Sequence, residues 1–232
     1  SRNAVMGYQA ARNMTAGTGN IMLGNQAGYS MANASSNVVI GDQAGYNSLR
    51  GTRNVFLGYQ SAFSWSRGSE NIVIGSSAGY AADSGMYNIF LGASSGLINQ
   101  GNRNVFIGAE TGFNNTLGED NLFIGYQAGY NNSGTTGGSN NIFLGNQAGF
   151  SNTNGADNLF IGNLAGYFNT TGKENIVLGR EAGYNLSAGG RNVILGDKAG
   201  YSVQDGNGNV FIGYEAGMNE TASGKLYIAN NA

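Results

Sequence analysis

The amino-acid sequence predicts an all-β fold, a parallel β-solenoid (β-roll) of about fourteen coils of about 17 residues each. Three observations predict it. A short unit of Asn, three apolar residues and Gly recurs along the whole chain, as in Asn37-Val38-Val39-Ile40-Gly41 and Asn121-Leu122-Phe123-Ile124-Gly125. The spacing is nearly fixed. The composition holds 41 Gly and no Pro, which suits many tight turns and excludes collagen.

The leading Asn recurs at Asn3, Asn20, Asn37, Asn54, Asn71, Asn88, Asn104, Asn121, Asn141, Asn158, Asn175, Asn192 and Asn209. Successive steps are 17 residues except one of 16, after Asn88, and one of 20, after Asn121. A degenerate fourteenth copy follows at Lys225-Leu226-Tyr227-Ile228-Ala229. Such internal periodicity decides the fold class before any local propensity does. No linker interrupts it, so residues 1–232 read as one repeat domain, and the opening on Ser1 raises the expectation of a processed or excerpted piece of something longer.

Each element of the unit has a physical reason. Three apolar, mostly β-branched or aromatic residues bounded by Asn and Gly make a very short strand. Seventeen residues are too few for a helix-containing repeat, and two short strands with two turns fill one flattened coil. Copies stacked in register at ~4.8 Å give a rod roughly 65 Å long. The Gly after the strand permits a positive φ at the corner. The Asn before it tolerates the left-handed region and stacks as an amide ladder, with Asn37, Asn54, Asn71, Asn88, Asn121 and Asn158 as its rungs. The residue ahead of that Asn tends to alternate in charge between neighbouring coils, as in Arg53 with Glu70, Arg103 with Asp120, and Glu174 with Arg191, with Asp157 next to Glu174 as the exception.

Alternation along a strand sends its first and third residues one way and its middle residue the other. The first and third, nearly always Val, Ile or Leu, suit the narrow interior. The middle residue then forms an apolar stripe on the outside, carried by Phe56, Phe90, Phe106, Phe123, Phe143, Phe160 and Phe211. A stripe of that length needs a cover, either the second half of the coil, should the inward face be the reverse, or another chain. The favoured expectation is a homo-oligomer, a trimer with the stripe at its axis.

The unit Asn-Val-x-Ile-Gly followed by small residues resembles the YadA-like head repeats of trimeric autotransporter adhesins. Stretches such as residues 141–150, from Asn141 to Phe150, are similar to repeats of bacterial surface proteins and phage-type fibres. The resemblance implies a left-handed, homotrimeric β-roll displayed outside the cell. The coil here is longer than that of the family, and its middle strand residue is often Phe where the family has a small one.

Chemistry is scarce in this composition. Without His or Cys there is no common nucleophile–base pair, thiolate site or disulfide, so no catalytic, cofactor or metal residue is assigned. The acids Glu119 and Asp120 read as a solvated turn. A net charge of −2 argues against nucleic-acid binding, and apolar runs fall far short of a membrane span, so no insertion is expected from this segment. Two breaks in the repeat are the ligand-binding candidates. One is Trp65, the only Trp, with Phe63, where the usual Ala-Gly-Tyr becomes Ser61-Ala62-Phe63. The other is the insertion around residues 131–140, with Asn132, Thr135 and Thr136. The expected function is an extracellular or cell-surface fibre segment, structural and adhesive, whose partners are copies of itself and a host-cell, matrix or surface glycan. The alternatives are a self-assembling filament subunit and, further off, a glycan-processing fibre enzyme.

Overall fold

The computed structural model describes residues 2–134 and 138–229. It is all-β: a parallel β-solenoid with no helix among the described residues. The coils group into two compact units, residues 1–114 and 115–232.

The first unit holds seven strands of three residues: β1 (Ala4–Met6), β2 (Ile21–Leu23), β3 (Val38–Ile40), β4 (Val55–Leu57), β5 (Ile72–Ile74), β6 (Ile89–Leu91) and β7 (Val105–Ile107). Each pairs with the next in parallel and in register, so that Val39 faces Met22 on one side and Phe56 on the other. The second unit repeats the arrangement with β8 (Leu122–Ile124), β9 (Ile142–Leu144), β10 (Leu159–Ile161), β11 (Ile176–Leu178), β12 (Val193–Leu195), β13 (Val210–Ile212) and β14 (Leu226–Ile228). The extra residues of the 20-residue coil leave the register of β8 on β9 intact.

Among the described residues no second strand forms in the coils. Among those same residues the far wall shows isolated bridges, Ala16 with Asn33, Ser35 with Thr52 and Arg50 with Arg67, all in the first unit. The remainder is turn, because left-handed residues recur too often for extended chain: Gln147 (φ 53), Gly149 (φ 59) and Asp157 (φ 59) lie in consecutive stretches. Coil-to-coil hydrogen bonding continues regardless, as in Gly149 N–H to Ala165 O and Ser151 N–H to Tyr167 O, both 3.0 Å. The turns are therefore stacked as regularly as the strands.

The Asn ladder is present. The Asn54 Nδ2 donates to Asn37 Oδ1 (3.2 Å) and to the Gly68 carbonyl (2.8 Å), while the Asn54 backbone N–H donates to the same Asn37 Oδ1 (2.9 Å). The pattern recurs at Asn71, Asn88, Asn158 and Asn175, all buried. Amides in line polarise one another, and a buried rung removed leaves two neighbours unsatisfied. One detail differs from expectation: the left-handed residue is the one before each Asn, such as Arg53 (φ 58) or Glu70 (φ 63). The Gly after the strand is needed twice over. At Gly41 φ is +136°, and a Cβ would overlap the Gly58 carbonyl oxygen of the next coil.

The largest correction concerns which face is inside. Phe56, Phe90, Phe106, Phe123, Phe143, Phe160 and Phe211 are at most 1% exposed and point into the coil. They form no outer stripe. The cover is the second half of each coil: small residues such as Ala128 and Ala148, and a Gly at φ near +59° over which the ring lies. The middle strand position supplies a large interior side chain in most coils, and the turn side supplies one in others, such as Trp65 and Leu186. Stacked rings then follow, Phe123 on Phe143 at 4.7 Å and Phe143 on Phe160 at 4.9 Å between centroids.

Candidate functional site

With the middle residue inside, the first and third of every strand face outward. In β2 to β7 and again in β8 to β14 each of these positions is Val, Ile or Leu, without exception. Ile21 (41%), Leu57 (40%) and Ile72 (39%) in the first unit, and Ile124 (38%), Ile142 (38%) and Ile176 (42%) in the second, are the most open in those rows apart from Leu226 and Ile228 of the last strand. Adjacent strands at ~4.8 Å and alternate residues ~7 Å apart make a double aliphatic column ~30 Å long in each unit. That is a patch of a few hundred Å², at the upper end of what a monomer leaves bare.

Polar and aromatic groups border it. Just beyond the strand ends stand half-exposed Tyr59, Tyr126 and Tyr214, and the pair Arg180 and Asp197 (2.9 Å). On the other border Arg53 pairs with Glu70 (2.6 Å) and Arg191 with Glu174 (3.0 Å). These ion pairs are exposed and each contributes well under ~1 kcal/mol. They nevertheless agree with the stacking register read from the alternating charges. No charge intrudes on the aliphatic rows themselves.

No protein-family model matches the chain, and no curated protein or solved structure matches it either. What the chain can do therefore rests on its own geometry.

The anticipated ligand residues do not assemble into one site. Trp65 is 1% exposed, wedged between Phe56 (5.7 Å) and Phe90 (6.0 Å), and its buried Nε1 has no partner. It fills the space left by two small side chains in the next coil, Val73 and Ala82, and is packing rather than a sugar platform. Phe63 lies at the surface in a column of rings, 5.0 Å from Tyr46 and 4.9 Å from Tyr80, both within 4° of parallel. Both its faces are covered, so only an edge meets solvent. Asn132 is fully buried, with its Nδ2 donating to Asn115 Oδ1 (2.5 Å) and the Gly138 carbonyl (2.7 Å). Thr135 and Thr136 lie outside the described residues.

The column of Tyr130, Phe150, Tyr167, Tyr184 and Tyr201 repeats this stacking in the second unit. Burial in it, then the neighbouring Tyr201 and Tyr167, push the Tyr184 phenol above its ordinary value. A hollow of about 400 Å³ near the last coil is lined by Met218, Glu220 and Tyr227. There Glu220 accepts the Ala222 N–H (2.8 Å) and the Tyr227 hydroxyl (2.9 Å), which hold its carboxyl below the usual 4.5. Those bonds tie down a turn. No group of acids among the described residues is arranged to hold a metal ion, and no helix there is long and apolar enough to cross a membrane.

What sequence reasoning missed is the outward aliphatic double column. The signal was available in the sequence. From β2 to β14 the first and third positions admit only Val, Ile or Leu, whereas in the coils of β8 to β12 the middle position varies from Val to Phe in step with a second site eleven residues after the Asn.

Proposed function

We propose that this chain is a structural segment of an extracellular or cell-surface fibre, held to copies of itself through the aliphatic face of its sheet, and not an enzyme. One observation carries the reading: two adjacent rows of Val, Ile and Leu, unbroken by a polar residue from β2 to β7 and again from β8 to β14, open to solvent. A second copy is the partner that fits. Its rows have the same ~4.8 Å period, so side chains of one face interlock with those of the other along the whole contact, as in packed sheets ~10 Å apart. A globular partner offers no such period.

The three-fold arrangement, the extracellular setting and the adhesive role rest on the resemblance to YadA-like head repeats. The stacked, hydrogen-bonded turns suit a stiff spacer that displays what lies on its surface. Light scattering on the purified chain tests the reading. Association should persist in high salt, because its driving force is apolar, and Ile142→Glu with Ile176→Glu should abolish it while leaving the melting of the dilute protein nearly unchanged. A wild-type chain that stays monomeric at every concentration sinks the proposal.

A further inference from the structure

Charged side chains in neighbouring coils of this protein are arranged with opposite signs together: Arg53 on Glu70, Arg180 on Asp197, Arg191 on Glu174. Two like-charged pairs break this tendency, Asp157 with Glu174 and Arg50 with Arg67, and only the first is relieved by a neighbouring opposite charge, Arg191 on Glu174. Arg50 and Arg67 are paired directly across the far wall, and each is exposed and without an ion-pair partner among the described residues. Paired strand residues lie ~4.8 Å apart, so two like charges are stacked at a distance where they repel. The same column continues with Asn33 before them and Ser84 after, so no acid relieves the pair within it. The nearby Asp83 carboxylate is engaged by the Ser66 hydroxyl and forms no ion pair with Arg67.

The two arginines line one open groove of about 360 Å³. Thr52 and Ser69 stand on its floor with their hydroxyls 3.2 Å apart, and the apolar chain of Met86, 44% exposed, closes one side. Guanidinium groups present planar forks of donors that match the oxygens of a carboxylate or a sulfate. Two such forks in line, beside hydroxyls and an apolar wall, provide for an anionic group carried on a sugar ring, whose hydroxyls and C–H face need those same neighbours. Two cations on a chain of net charge −2 make a poor track for nucleic acid.

We propose that Arg50 and Arg67 form a binding site for the oxyanion of an acidic glycan. It lies on the far wall, away from the aliphatic face, and does not depend on self-association. Carboxylate and sulfate are distinguished by the probe. Binding of a galacturonate hexamer and of a heparin-derived hexasaccharide is measured by calorimetry at low salt, for the wild type and for Arg50→Gln with Arg67→Gln. The expected result is that at least one probe binds and weakens about tenfold or more in the double variant. Removal of equal charge elsewhere, Lys173→Gln with Lys225→Gln, should leave affinity within about twofold, since neither lysine lines the groove. Should the double Gln variant fold poorly, Arg50→Lys with Arg67→Lys keeps the charge, removes the forks and should still weaken binding. Failure of both probes to bind, or equal affinity in wild type and double variant, overturns the proposal. Light scattering on the same samples reads self-association separately, so loss of glycan binding and loss of assembly are told apart.

Discussion

Within the second unit the same backbone is filled in two ways. Coils carrying β8, β9 and β10 place Phe123, Phe143 and Phe160 in the interior, and eleven residues after each ladder Asn they place Asn132, Asn152 and Asn169. Coils carrying β11 and β12 place Val177 and Ile194 there, with Leu186 and Val203 at the second site. A ring on the strand side goes with a short amide on the turn side, and a short aliphatic strand residue goes with a larger aliphatic partner. The interior volume per coil is thus conserved while its chemistry changes from aromatic and polar to aliphatic throughout.

The amides of the first type make a second ladder. Asn152 Nδ2 donates to Asn132 Oδ1 (2.5 Å) and Asn169 Nδ2 to Asn152 Oδ1 (2.7 Å), while each Nδ2 also reaches a Gly carbonyl of its own coil. The ladder stops where the chemistry changes. Leu186 has nothing to donate, and Asn169 Oδ1 is left buried without a partner. Leaving such an acceptor unpaired costs ~1–3 kcal/mol, so the junction between the two fillings is a weak point.

The comparison is broken most forcefully by emptying one coil of each kind. Phe143→Ala removes a ring stacked on both sides and should cost ~3–5 kcal/mol, because neighbouring coils are pinned by their ladders and cannot collapse into the hole. Val177→Ala removes far less and should cost about 2 kcal/mol. Urea denaturation of the two variants measures the difference. Equal losses would mean that the interior relaxes freely and that the volume argument is wrong.

Much of this was legible in the sequence, and the part that was not has a definite physical origin. Repeat length fixed the coil, and Asn at its constant place fixed the ladder, because a buried amide column tolerates no substitute. The facing of the strand was misread because all three residues of each strand are apolar. Alternation then gives two faces but not which is inner. Size carries that information. Only an interior position couples its volume to another position, and Phe123, Phe143 and Phe160 are coupled to Asn132, Asn152 and Asn169 whereas Ile124 and Ile142 are coupled to nothing. Trp65 misled for the same reason. Read alone it suggests an exposed platform, but read with Val73 and Ala82 in the next coil it completes a volume. The Arg50 and Arg67 pair lies one repeat apart, and the direct pairing of the two came from the bridge on the far wall.

A smaller effect sharpens the contrast at the glycine opposite the strand. In the aromatic coils a Cβ on Gly149 would lie 2.5 Å from Phe143 Cε2, and φ is +59°. In the aliphatic coil Gly183 has φ +53°, but a Cβ there would meet Ile194 Cδ1 and Val177 Cγ1 at 3.4 Å, ordinary contact. Both Gly→Ala changes carry the left-handed cost of ~1 kcal/mol, and Gly149→Ala adds ~1–3 kcal/mol of overpacking. The chain already contains the tolerated case. Ala62 occupies this position at φ 51°, and its coil's ring, Phe56, leans toward Gly45 of the preceding coil, beside the small Val39. Melting temperatures of the two variants should therefore separate, with Gly149→Ala the lower.

The smallest expected effect is the most discriminating, because it asks for a compensation rather than a loss. Val177→Phe alone should destabilise by ~1–3 kcal/mol, since Leu186 already fills the space a ring would need. Leu186→Asn alone gives Asn169 Oδ1 a donor but opens a void beside Val177, so gain and loss offset to within about 1 kcal/mol. Together they convert this coil to the aromatic kind, with Gly183 already in place beneath the ring and the ladder one rung longer. A double-mutant cycle should return a favourable coupling of ~1–2 kcal/mol between two side chains nine residues apart. Additive effects would show that the match of Phe with Asn in β8 to β10 is coincidence. A favourable coupling would mean that the coil interior is a two-letter code, read once per turn.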